Sequence, residues 1–143
     1  MMPEMNINRF VVAQESPYFG YDVALKEIRA GKKTSHWIWY IFPQFRGLGR
    51  SHYAHFYGIA DVGEAEAYLN HPLLGARLRE ISQALLEHRA QSAEEILGAT
   101  DACKVRSCMT LFNRLAPNEV FGQVLEAFYE GECQATLKMM ESR

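Results

Sequence analysis

The chain has 143 residues, a formal net charge of −2, 48% hydrophobic content and 22% charged content. That length suits a single domain over residues 1–143 with one sizeable core. The balance excludes a disordered polypeptide, and it gives the protein no bulk charge with which to seek nucleic acid. The longest apolar run, residues 37–42, is far too short to span a bilayer, so no membrane association is expected. Cys103, Cys108 and Cys133 are odd in number and form no C-x-x-C pair. They are expected as small core residues in a reduced compartment. The first ten residues lack the basic start and apolar run of a signal peptide, which points to the cytoplasm.

Taken in order, the chain reads as a series of short helices. Asn6 or Asn8 caps a first helix running to about Glu15, with Phe10 and Val11 facing inward; Ser16-Pro17 interrupts it. Tyr21 to Ala30 forms a second, with Leu25 and Ile28 at helical spacing and Gly31 just past its end. Thr34 or Ser35 caps a third element that Pro43 limits. Residues 37–42 fit either a doubly buried strand or a short buried helix, and the helical neighbours favour the helix. Ser51 caps a helix from His52 to Tyr57. Gly63 to Leu69 is helical, and Asn70-His71-Pro72 breaks it.

Leu74, Leu78, Ile81 and Leu85 then give the strongest amphipathic stripe, on a helix from about Pro72 to Arg89. Ser92-Ala93-Glu94-Glu95 is a capping box, ended by Gly98. Thr100 or Asp101 starts the next helix, striped by Val105, Cys108, Phe112 and Leu115. Pro117-Asn118 starts another, carrying Val120, Val124 and Phe128, and a last helix carries Leu137 and Met140. No segment alternates as a strand does. The expectation is an all-α fold of about seven to nine short helices.

Function concentrates in Ser35 to Ser51. This stretch holds both tryptophans, Tyr40, Phe42 and Phe45, and then a turn with Arg46, Gly47, Gly49 and Arg50. No Asp or Glu occurs between Glu27 and Asp61, while Arg29, Lys32, Lys33, Arg46 and Arg50 all do. A local positive field beside a Gly-rich helix start suits a phosphate or carboxylate. Arg46, Gly47, Gly49, Arg50 and Ser51 are the candidate ligands. The plainer reading is a tight turn with solvated arginines, since the loop matches no Walker or dinucleotide motif. His36, Trp37, Trp39 and Tyr40 offer an aromatic wall for a flat ligand, with His36 as polar contact or general base, or else simply core. Gln44 is a further polar partner.

His52 and His55 share a helix face at i, i+3, but no nearby carboxylate completes a metal set, so no metal or cofactor is expected. His71 reads as a turn residue. Lys104, Ser107, Thr110 and Arg114 line the polar side of their helix and, with Asp101, would face the basic stretch across a groove. Lys104 and Ser107 resemble a base and nucleophile in spacing, but nothing supplies an oxyanion hole. The residues therefore name no reaction. They suggest a domain that binds an anionic, nucleotide-like or phosphate-bearing small molecule. The alternative is a protein-interaction module whose arginines and aromatics meet a partner.

The run His36-Trp37-Ile38-Trp39-Tyr40-Ile41-Phe42-Pro43-Gln44 resembles a bacterial family catalogued as a domain of unknown function, DUF 1810, some of whose members carry the label calpastatin. The resemblance continues through Gly47-Leu48-Gly49, Tyr57-Gly58-Ile59, His71 to Gly75 with Arg77-Leu78, and Lys104 to Phe112. It implies a compact all-helical domain and brings no catalytic residues with it. The calpastatin label conflicts with the composition, because that inhibitor is disordered and polar. Cys108 departs from the family pattern, which implies a small residue such as serine there, and is expected as a packing variant.

Overall fold

The computed structural model describes residues 6–143 and, among them, contains ten α-helices and no β-strand. They are α1 (Asn8–Gln14), α2 (Tyr21–Arg29), α3 (Ile38–Ile41), α4 (His52–Phe56), α5 (Val62–Asn70), α6 (Leu74–Leu86), α7 (Ala93–Leu97), α8 (Ala99–Leu115), α9 (Val120–Phe128) and α10 (Gln134–Ser142). The count is slightly above the expected seven to nine, with α3, α4 and α7 present as the short helices read from the sequence. Residues 38–41 are helical, which settles the helix-or-strand ambiguity of that run.

The two longest helices organise the rest. The stripe Leu74, Leu78, Ile81 and Leu85 on α6 is buried as its spacing predicts, and α6 packs on α2, α5 and α9. On α8, Val105, Cys108 and Phe112 are fully buried, and α8 packs on α5, α7, α9 and α10. Aromatic side chains bind the halves together. Phe10 meets Tyr68 edge-on at 5.0 Å, Tyr68 meets Phe112 at 5.6 Å, and Phe112 meets Phe121 at 6.0 Å, linking α1, α5, α8 and α9. Large side chains buried this way each contribute about 1.5–3 kcal/mol.

The helix starts follow local chemistry. Ser92 and Glu95 complete the capping box. The Ser51 hydroxyl accepts from the Ala54 N–H at 3.0 Å, as an N-cap should. Three details differ from expectation. Thr34 and Ser35 do not cap α3; both are drawn to Glu27 instead. Helix α9 begins at Val120 because Asn118 adopts a left-handed φ of 79°, which a helix cannot include. On α10 the fully buried residue is Thr136, while Leu137 and Met140 are half-buried. The cysteines also divide. Cys108 is core, but Cys103, on the outer face of α8, is exposed and Cys133, just before α10, is intermediate.

Two buried polar residues of α1 tie distant segments together. Gln14 donates to the Tyr40 carbonyl at 2.8 Å and accepts from Arg77 at 3.2 Å. Arg9 donates to the Phe56 carbonyl at 2.7 Å, to the Gly58 carbonyl at 2.9 Å and to the Glu64 carboxylate at 2.8 and 3.0 Å. Among the described residues, no helix is long and apolar enough to cross a membrane.

Candidate functional site

The tryptophan-rich stretch is anchored from below by one carboxylate. Glu27 accepts from the Thr34 and Ser35 N–H groups, the Ser35 hydroxyl and the Trp37 indole N–H. Trp37 is completely buried, with Lys33 Nζ 5.1 Å from its ring centre. It is therefore a core residue held by Glu27 rather than part of a ligand wall, since its polar atom and its surface are both already used.

Downstream, the chain leaves α3 and is pinched at Phe45 and Ile59. These two residues form an isolated bridge, with Arg46 N–H to Ile59 O and Ile59 N–H to Gln44 O, each 2.9 Å. The bridge closes the loop 46–58 that carries α4. Inside it, Gly49 lies so close to α4 that an added Cβ would sit 2.7 Å from the Ala54 Cβ. Gly47 takes a φ of +105°, a conformation that favours glycine.

This packing brings the loop against α8. A cleft of about 370 Å³ opens between Gln44, Gly49, Arg50 and Ser51 on one side and Thr100, Cys103, Lys104 and Ser107 on the other, with Leu48 and Ala54 as apolar lining. Arg50 is exposed and makes no hydrogen bond or ion pair among the described residues. Lys104 Nζ lies 3.3 Å from Asp101, whose other oxygen is 2.8 Å from Lys33 Nζ. One carboxylate thus serves two ammonium groups and leaves an excess positive charge. No carboxylate lines the cleft itself.

The expected ligand set is therefore divided by the structure. Gln44, Gly49, Arg50 and Ser51 reach the cleft, and Lys104 and Ser107 face them. Arg46 does not line it: its guanidinium turns back to the His55 carbonyl at 3.0 Å and the Gly58 carbonyl at 3.1 Å, stitching its own loop. Gly47 sits on the outer side of the turn, near Arg143 and Met139. His36 is exposed and lies in a different cleft, with Trp39 and Tyr40, so it does not join Lys104 and Ser107. The Ser107 hydroxyl is 3.2 Å from the Cys103 carbonyl and 3.3 Å from Cys133 Sγ, an arrangement that engages it structurally. Thr110 is fully buried; its hydroxyl donates to the Arg106 carbonyl and accepts from the Cys133 N–H. Arg114 pairs with Glu132 at 2.8 Å. His71 Nδ1 accepts from the Leu73 and Leu74 N–H groups, which makes it a turn residue. His52 and His55 are exposed, and no group of three or more potential metal ligands assembles among the described residues.

Sequence reasoning missed Thr100 and Cys103 as cleft residues, and Phe19, Tyr53 and Tyr57 as lining of the His36 cleft. Tyr53 and Tyr57 stand at i, i+4 beside a capped helix start, and that spacing was a usable signal.

Cys133 offers a chemical probe of the α8–α10 contact. Burial pushes its thiol up, but the Ser107 hydroxyl and the Thr136 and Ala135 N–H groups at the start of α10 outweigh this and hold it below the usual thiol value. Burial alone pushes Cys108 well up. Ser107→Ala is expected to slow iodoacetamide alkylation of Cys133 at neutral pH by about fivefold, the loss of one hydrogen bond of ~1 kcal/mol. Residue-resolved mass spectrometry checks this, with Cys108 unreactive until the protein unfolds.

Fold and clefts together define a small all-helical protein whose aromatic-rich stretch and basic loop share one face. The chain belongs to the family described as "Protein of unknown function (DUF1810)", whose model matches residues 4–140. It is similar to a solved structure, that of the conserved hypothetical protein Rv1873 from Mycobacterium tuberculosis. The two are 43% identical, the match covers 94% of this chain and 95% of that one, and the TM-score is 0.88. No curated protein matches the chain.

Proposed function

We propose that the protein binds a phosphate-bearing small molecule in the cleft between loop 44–51 and α8. The observation that carries this is the unpaired Arg50 facing a cleft that also holds Lys104, with no carboxylate in the lining. An arginine fork and a lysine ammonium suit phosphate oxygens. Gln44, Ser51 and Thr100 add neutral donors within the same lining. The three free cysteines fit a reduced compartment, where we place this binding.

The test uses inorganic pyrophosphate and a panel of nucleotides and sugar phosphates, read by thermal shift and calorimetry. A ligand at 100 times its Kd adds about 2.7 kcal/mol of stability. Arg50→Gln combined with Lys104→Gln is expected to abolish the shift while leaving the melting temperature of the free protein within a few degrees. Binding should weaken as salt rises. No stabilisation by any phosphate compound, or stabilisation unchanged in the double variant, overturns the reading.

A further inference from the structure

A second cleft, of about 460 Å³, lies beside the basic one and is not used by the anion reading. Five aromatic rings line it. Phe19 comes from the segment before α2, Trp39 and Tyr40 from α3, and Tyr53 and Tyr57 from α4 and its end. The volume is in the range of small-ligand pockets.

Tyr40 belongs to the core and Trp39 and Tyr57 pack against it, but Phe19 and Tyr53 do not follow them inward. Phe19 is 49% exposed and Tyr53 54%, although both line a concave surface. The Phe19 ring has no ring partner among the described residues. Its backbone, in contrast, is fixed on both sides: its N–H donates to the Ser16 hydroxyl at 3.1 Å, and its carbonyl accepts from the Tyr40 hydroxyl at 2.6 Å. The ring is thus held out by hydrogen bonds rather than left to collapse. Elsewhere in the lining, Trp39 and Tyr53 pack at 4.9 Å, and Tyr53 and Tyr57 stack at 6.3 Å with 22° between their planes, forming one aromatic surface. Apolar rings held open in this way leave area that a ligand covers at little ordering cost.

The lining contains no Asp, Glu, Lys or Arg. Its polar side chains other than tyrosine are Ser16 and His36, and the Ser16 hydroxyl already accepts two backbone N–H groups. That favours an uncharged occupant over a cation, which would want a carboxylate nearby. We propose that this cleft binds a flat, uncharged heteroaromatic ring of nucleoside size, stacked on the Trp39–Tyr53–Tyr57 surface with Phe19 as its clamp.

The inference stands apart from the anion reading, because the two clefts take different residues of α4. Tyr53 and Tyr57 line one, Ser51 and Ala54 the other. The test titrates adenosine, a heteroaromatic nucleoside without charge, and follows tryptophan fluorescence. Trp37 is sealed in the core, so a change reports Trp39. Saturable quenching is expected, with affinity falling about tenfold in Phe19→Ala and in Tyr53→Ala. Tyr53→Leu, which keeps the bulk but not the ring, should lose nearly as much. Arg50→Gln, which lies outside this lining, should keep adenosine binding. No saturable binding up to millimolar adenosine overturns the proposal. So does affinity unchanged by the Phe19 and Tyr53 substitutions, or tighter binding of tetramethylammonium than of adenosine. Adenosine binding without any pyrophosphate response removes only the anion reading; the reverse pattern removes only this one.

Discussion

Replacing Arg9 by alanine is expected to destabilise the protein by about 3–5 kcal/mol, the cost of breaking a buried ion pair from one side. The Arg9 side chain is 2% exposed and its Glu64 partner 14%. Removal takes the charged partner from the carboxylate, which keeps only the Ala60 N–H, and strands the Phe56 carbonyl at the end of α4, while the Gly58 carbonyl keeps Arg46. Replacing the pair together, Arg9→Met with Glu64→Leu, should recover only part of the loss, because the Phe56 carbonyl and the Ala60 N–H then lack partners. Chemical denaturation of the three proteins measures this. A loss below 1 kcal/mol for Arg9→Ala would contradict the assigned role.

The second large effect concerns Glu27 and has a pH signature. Burial pushes its carboxyl up, but the Ser35 hydroxyl, the Thr34 N–H, the Trp37 indole and the Ser35 N–H all donate to the carboxylate and bring it down to about 2, from 4.5. A group lowered on folding stabilises the native state fully above its unfolded value. That contribution is lost as pH falls through the folded value, here between about 4.5 and 2. Glu27→Gln is expected to cost about 2 kcal/mol at neutral pH, less than four separate charged bonds would suggest because the side chain is partly exposed. The wild-type and variant stabilities should converge as pH drops below 4.5. A constant difference across that range would show that the charge is not what anchors the Trp37 segment.

What the sequence disclosed and what it hid separate along chain distance. The α6 stripe, the Ser51 cap and the Ser92–Glu95 box were legible because each depends on residues within a turn or two. The same holds for the helical state of residues 38–41, inferred from helical neighbours. Arg9 and Gln14 were not legible. An arginine and a glutamine on a short helix look like solvated surface until partners 26 to 63 positions away are known. Cleft membership behaved likewise. Arg46 and Arg50 are equivalent in sequence, yet the backbone around Gly58 draws one inward and leaves the other unpaired. The groove between the basic stretch and the Lys104 helix was foreseeable because both carried polar side chains toward no obvious partner. The five-ring cleft was not, since Phe19 joins it from a separate segment.

The Phe45–Ile59 bridge has a dynamic counterpart. Phe45 and Ile59 are both buried, and the amides of Arg46 and Ile59 are bonded to one another's strand of chain. The five-residue helix between them sits at the surface, with Ala54 as its only buried residue. Protection in such an arrangement is graded. Hydrogen exchange should therefore be fast in the α4 amides and slow at Arg46 and Ile59, which should exchange with the core of α8. The segment 47–55 then opens ahead of the rest, while Phe56 to Gly58 stay tied to α1 through Arg9 and the bridge holds its root.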